Sequence, residues 1–353
     1  MRLTSRYSAN VISAKARALY GKSLSEKNYS DLLACHSVSE VAAYLKNETR
    51  YGSVLTQVNE ATIHRGYLET LLRHKLLEDY ASLMRYDLSV GQHLSDYMIR
   101  REEIQQIVLC MRLMNAGRGD EFVLSMPSFF VGHTKLDMFR ISRVTSYGEL
   151  LDALVGTPYH KLLLPFAPKE GEHVSLTPIE TALYKRLTET LFDVIDRTSG
   201  ELRRQMIDLC GAQIDAQNVT RILRLKTFFH ADADTIRANL LPNGRCIPAR
   251  VIEQMVTAPN AEDVLHLFYG TRLGKRVPEE QRAFSYNLPH RVPYFSARHY
   301  MHFSTYPMVA LFSYMMIMDT ELDDIINIIE GIRYGMPPEE IRTMLILYGS
   351  ERK

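Results

Sequence analysis

Cysteine is scarce. The chain of 353 residues has four, Cys35, Cys110, Cys210 and Cys246, far apart and without a CxxC pair. Three lie beside apolar residues, as reduced core cysteines do, which points to a reducing cytosol and against a disulfide framework. Long apolar runs are missing as well. The longest, MVALFSYMMIM at 308–318, lies between Pro307 and Asp319, and a bilayer span needs roughly 20 residues. That excludes direct bilayer insertion and leaves a place beside a membrane open.

Neither sign of charge is in excess: 42 basic residues face 41 acidic ones, for a formal net charge of +1. A nucleic-acid partner usually demands a basic surplus, so none is expected. The balance hides one local skew. Residues 1–30 carry Arg2, Arg6, Lys15, Arg17, Lys22 and Lys27 against Glu26 alone. No apolar h-region or cleavage site follows, so YSANVISAKARALYGK reads as a cationic helix inside the fold.

Catalytic motifs are the third absence. GTRLGK (270–275) has one residue too few between its glycines for a phosphate loop, and Arg276 stands where the magnesium-binding Ser or Thr belongs. NAGRGDE (115–121) lacks the GxGxxG spacing and follows a helix, which removes support for a dinucleotide fold. His290, His299 and His302 cluster in HRVPYFSARHYMH, but there is no HExxH and no adjacent carboxylate to complete a metal site. There is no GxSxG elbow. The reading is a non-enzyme with no cofactor, no metal and no small-molecule substrate.

What is present is helix. TIHRGYLETLLRHKLLEDYASLMRY (62–86) spaces Ile63, Tyr67, Leu68, Leu71, Leu72 and Leu76 at three- and four-residue steps, and PIETALYKRLTETLFDVIDR (178–197) does the same. Alternating β-branched runs are few, so the fold class is all-α. The connections carry Pro and Gly but no low-complexity segment.

The helices repeat. REEIQQIVLCMRL, GAQIDAQNVTRILRL and ELDDIINIIEGIRY align on Arg112, Arg224 and Arg333. An acid stands nine residues before each, Glu103, Asp215 and Asp324, and an amide six before, Gln106, Asn218 and Asn327. The shared apolar positions fall within about 40° on one helix face, and the arginines about 140° from it. A second feature has the same period: Thr49 with Tyr51, Thr157 with Tyr159, and Thr271 with Leu273. The threonines are 108 and 114 residues apart and the arginines 112 and 109. The chain thus divides into helical units at 1–115, 116–227 and 228–353. The acids read as helix-start residues, Asp323 and Asp324 included. The amides read as partners of buried backbone, and the arginines as solvated, bridging between units, or lining a common docking surface. Lys226 is the exception. It falls about 20° from Val219 on the apolar face, which requires a distorted helix or a buried partner.

These pieces resemble a known family. YSANVISAKARALYGKSL, LLACHSVSEVAAYLKNETRY, DAQNVTRILRLK and ELDDIINIIEGIRYGMPPEEIRTML, in that order over nearly the whole chain, are similar to the C subunits of bacterial and archaeal V-type (A-type) rotary ATPases, the counterparts of the d subunit of the eukaryotic V-ATPase. The resemblance implies three similar helical domains arranged as a funnel around a pseudo-threefold axis. It also implies a non-catalytic rotor part, peripheral at the cytoplasmic face of the membrane, joining the membrane rotor ring to the central-stalk subunits and passing torque during ATP-linked proton or sodium transport. Gln106 in place of Asn, Gly331 inside the third helix, and Gly335 where the second copy has Lys226 depart from equivalence of the three units. Arg2, Arg6, Lys15, Arg17, Arg272, Lys275 and Arg276 are the candidate docking cations, and neutralising them is expected to weaken ring or stalk binding. The rival reading is a free-standing helical scaffold that binds a partner protein in its central cavity.

Overall fold

The computed structural model describes residues 2–84, 92–125, 132, 134–169, 173–279, 282 and 288–348, and among these every regular element is helical. Five long segments organise the molecule: α5 (Arg65–Met84), α6 (Gln92–Asn115), α11 (Leu176–Asp196), α17 (Leu288–Phe303) and α18 (Pro307–Arg333). A sixth is composite. Helix α12 (Gly200–Met206) runs through a π-turn at Ile207–Gly211 into α13 (Ala212–Phe229), so GAQIDAQNVTRILRL lies within one longer rod. Around these lie α1 (Arg2–Tyr20), α2 (Glu26–Leu33), α3 (Val38–Glu48) and α4 (Gly52–Leu55). The remaining short helices are α7 (Phe122–Ser125), α8 (Met138–Ile141), α9 (Tyr147–Ala153), α10 (Pro158–Leu163), α14 (Ala233–Asn239), α15 (Ala249–Thr257), α16 (Ala261–Gly270) and α19 (Pro338–Met344).

Local chemistry explains where the repeated short helices begin and end. Ser37, Ser146 and Asn260 cap α3, α9 and α16, each side chain accepting from the N–H three residues on, at Glu40, Glu149 and Asp263. At the far end the repeated threonines act alike. Thr49, Thr157 and Thr271 donate to a carbonyl of the last turn, at Leu45, Leu154 and Phe268, and accept from the N–H of Tyr51, Tyr159 and Gly274. The residue thrown inward after each threonine, Tyr51, Tyr159 or Leu273, is buried.

The long helices pack in sequence: α6 on α11, α13 on α17, α17 on α18, and α18 on α1 and α5. Arg101 of α6 reaches Asp319 of α18 at 2.7 Å, and the rings of Tyr97 and Phe312 meet at 5.4 Å, so α18 also returns to α6. Three apolar cores result. One gathers residues of 104–187 around α6 and α11, and one gathers 212–292 around α13. The third joins both ends of the chain, 12–98 and 294–347, with 191–214 and Leu241. A boundary at 115 or 227 separates α6 from α8–α10, and α13 from α14–α16, with which they share these cores.

Helix α18 is the axis of the largest core. Its run from Met308 to Met318 is buried throughout, as a helix apolar on every side must be. Polar residues are buried along it too, and two of them tie it to the N-terminal helices. Glu321 accepts from Leu24 N–H at 2.7 Å and from Tyr51 hydroxyl at 2.8 Å. Tyr314 shares Asp79 with Arg50 and Lys75, an ion cluster in which the Arg50 and Asp79 side chains are only 5% exposed. Losing one partner of such a pair costs about 3–5 kcal/mol, because the other charge stays buried.

Candidate functional site

The repeated acid lies well inside its helix in α6 and α18, and in α13 it follows a rod already running from Gly200. The helix-start reading of Glu103, Asp215, Asp323 and Asp324 is therefore corrected, since no free N-terminal amides exist there to be capped. Asp323 pairs instead with His290 at 3.0 Å. The repeated acids have another task, fastening a later segment to the long helix. Asp215 accepts the N–H groups of Cys246 and Ile247 at 2.7 and 2.8 Å. Asp324 accepts those of Ile346 and Leu347 at 2.9 and 2.8 Å. Glu103 accepts the hydroxyls of Thr134 and Tyr159 at 2.7 and 2.6 Å. Burial pushes the carboxyl of Asp215 up to about 6 and that of Asp324 up to about 7, although the backbone N–H bonds oppose the shift.

The amides diverge. Asn218 is buried and clamps both backbone groups of Leu241, at 2.9 and 2.7 Å, as a buried amide should. Gln106 bonds within its own helix to Glu102, and its Oε1 is buried without a hydrogen bond among the described residues. Asn327 is half-buried. The arginines are alike in being exposed: Arg112 pairs with Glu180 of α11 at 2.6 Å, Arg333 lies over the Tyr334 ring, and Arg224 stands in solvent.

Lys226 has its partner. Its ammonium donates to the carbonyls of Val256 and Ala258, both at 2.7 Å, satisfying the end of α15 where the helix dipole is negative. Helix α13 continues undistorted past it to Phe229. Arg221, beside it, donates to Thr181 Oγ1 and the Asn239 carbonyl, both at 3.1 Å.

The candidate docking cations divide by what they hold. Arg2 and Arg6 fall on α1, and their side chains lie outside the described residues. Lys15 donates to the Ser82 carbonyl, and Arg17 to those of Met301 and Ser304 at the end of α17. Arg276 bonds Asp208 at 2.5 Å and Ser296 at 2.7 Å. Arg272 and Lys275 are exposed. His299 and His302 are exposed on α17 and both meet the Phe303 ring, and no group of three metal-ligating side chains exists among the described residues.

Periodicity misses two features. One is the set of polar ties from Tyr314 and Glu321 of α18 to the N-terminal segments, whose partners are 235 to 297 residues apart in sequence and carry no local signal. The other is a cleft of about 490 Å³ between α5, α6, α11 and α18, where Glu69, Arg73, Glu102, Arg112 and Glu180 meet apolar residues such as Leu76, Met98 and Leu109. Among the described residues, no helix is long and apolar enough to cross a membrane.

The profile of the ATP synthase (C/AC39) subunit family matches residues 12–344. The C subunit of the A-type ATP synthase of Methanosphaera stadtmanae is 25% identical over 272 residues, 75% of this chain and 68% of its own. The corresponding protein of Methanosarcina acetivorans is 22% identical over 98% of this chain and 94% of its own, and that of Archaeoglobus fulgidus 21% identical over 95% of each. With a match running from α1 into α19, the chain belongs to the ATP synthase (C/AC39) subunit family, as a non-catalytic member of the rotary machine.

Proposed function

We propose that the chain couples the central stalk of a rotary ATPase to its membrane rotor ring and transmits torque during ATP-linked proton or sodium transport. In this reading it sits at the cytoplasmic face of the membrane as a peripheral part, with three similar helical units arranged as a funnel around a pseudo-threefold axis. The observation that carries the reading is the family match over residues 12–344. Relatives named as the C subunit of A-type ATP synthases, matched over most of their length, support it. The buried ties along α18 support it physically. A part that carries load must not open at its own seam, and here the two ends of the chain are joined through charged, hydrogen-bonded pairs rather than apolar contact alone. Arg272 and Lys275, exposed on the turn after α16, are the docking cations this reading favours. Contact with a ring of equivalent loops calls for a broad polar surface rather than a single pocket.

The test is co-sedimentation of the full chain with central-stalk proteins and with vesicles carrying the rotor ring. Binding to both, weakened by salt, is expected. The double substitution Arg272→Ala with Lys275→Ala should lower affinity at low salt and flatten the salt dependence. If neither partner brings the chain down, the coupling reading fails and the free-standing scaffold takes its place.

A further inference from the structure

The turn after α16, the segment at 245–246 and the π-turn enclose a cleft of about 450 Å³, within the range of about 300–1,000 Å³ common to small-ligand sites. Its wall includes Arg204, Arg245, Arg272, Arg276 and Tyr300, with Asp208 the single carboxylate among the described lining residues. Four guanidinium groups brought to one concavity from three segments repel one another unless neutralised. Three are neutralised from within the chain. Arg276 is bound to Asp208 and Ser296, Arg245 holds Asp196 with two bonds of 2.6 and 2.7 Å, and Arg204 pairs with Glu201.

Arg272 is not. Among the described residues it enters no hydrogen bond or ion pair, yet its backbone is well fixed. Thr271 bonds the Phe268 carbonyl at 2.6 Å and receives Gly274 N–H at 2.9 Å, and Leu273 beside it is buried. The charge of Arg272 is felt inside the cleft. Burial pushes the Cys246 thiol up to about 12, Asp215 and Asp208 add to that, and Arg276 and Arg272 pull the other way.

We propose that this cleft binds a small phosphate-bearing anion, with Arg272 as the cation that recognises it and the flanking arginines held in place by their carboxylates. Guanidinium forks match phosphate oxygens in pairs. A compact concavity suits a small multivalent anion better than an extended acidic segment of a partner. Recognition here is by side chains, which is why the failed phosphate-loop spacing of GTRLGK does not count against it. The ligand is held and not turned over. The site shares Arg272 with the docking reading but rests on its own geometry, and titration of the isolated chain, with no stalk or ring present, tests it separately.

The experiment is calorimetric titration of the full chain with sodium pyrophosphate at ionic strength held constant with sodium chloride. One saturable site is expected, weakened about ten-fold by Arg272→Ala, on the scale of one charge-assisted bond pair. Arg272 is exposed and unbonded among the described residues, so a thermal melt should show the variant folded as the parent is. Arg224→Ala, which removes an exposed arginine elsewhere, should bind as the parent does. Vesicles containing phosphatidic acid form a second arm. Sedimentation that depends on Arg272 and is displaced by pyrophosphate assigns the phosphate to a lipid headgroup, and its absence assigns it to a soluble ligand. The proposal is overturned if the parent shows no saturable binding, if both substitutions weaken it equally, or if a hexaglutamate peptide binds more tightly than pyrophosphate.

Discussion

Helices α13 and α6 carry the same acid in the same frame, and each acid ties down a segment 31 residues further along the chain. The fittings differ. On α13 the shorter Asp215 receives two backbone N–H groups, and the chain passes so close that a Cβ at Gly244 would run into its Oδ1. On α6 the longer Glu103 receives two hydroxyls, from Thr134 and Tyr159. Backbone donors cannot turn away, whereas hydroxyl hydrogens rotate to whatever acceptor is near. One position in the repeat therefore performs one task with unequal tolerance to change. Equivalence in sequence does not make the units equivalent in stiffness.

The largest expected effect tests that inequality directly. Asp215→Ala orphans the buried N–H of Ile247 and the part-buried N–H of Cys246 and should cost about 3 kcal/mol in urea unfolding. Glu103→Gln keeps an acceptor for rotatable donors and should cost about 1 kcal/mol. If the two costs are equal, the distinction between fixed and rotating donors does not govern these sites. Gly244→Ala attacks the same clamp from the other side. With its Cβ driven into the Asp215 carboxylate, it should cost about 1–3 kcal/mol as overpacking does. Combined with Asp215→Ala it should cost clearly less than the sum, since the shorter side chain makes room.

A pH-dependent effect separates the backbone clamps. The folded-state pKa of Asp324 is raised to about 7 and that of Asp215 to about 6, against an unfolded value near 3.9. Between those limits the folded chain holds more protons than the unfolded chain, so stability falls as pH rises. The stabilisation tied to protonated Asp324 is complete below about pH 4 and gone above about pH 7. Asp324→Asn cannot titrate. Its deficit against the parent should shrink from about pH 4 to about pH 7.5 in denaturant melts, and a constant deficit would refute the assignment.

How much of this is legible in the sequence depends on what each feature rests upon. Helix class and the recurring threonines can be read, because apolar periodicity and Thr at helix ends are local signals. The same reasoning misplaces the acids. An acid preceding an apolar stripe resembles a helix start, and nothing local reveals that α6 and α18 begin far upstream. Gly331 reads as a departure from the repeat. Its reason is packing, since a Cβ there would lie 2.5 Å from Ile341 Cγ1 and hold α19 away from α18. Pairs such as Tyr51 with Glu321 join residues 270 apart, and only the folded chain brings them together. The arginine cleft is of that kind. Its four cations come from three segments, and the basic turn at 272–276, which carries two of them, is the part visible as a cluster.

The finest contrast lies within α13 itself, between two cations two residues apart. Lys226 holds the carbonyls of Val256 and Ala258, and Arg224 holds nothing among the described residues. Lys226→Met retains most of the apolar stem while removing the ammonium, so its cost isolates the cap on α15. About 1 kcal/mol is expected, the upper end for a cation at a helix C-terminus. Arg224→Ala should stay within about 0.5 kcal/mol, as exposed unbonded positions do. The order of the two matters more than either value. Arg224 is the position that recurs in the other copies, and Lys226 the one that does not. If the recurring arginine proves the costlier loss to the isolated chain, its return in every copy is a matter of folding. If it is silent there, as its exposure predicts, the recurrence serves something other than the stability of the isolated chain.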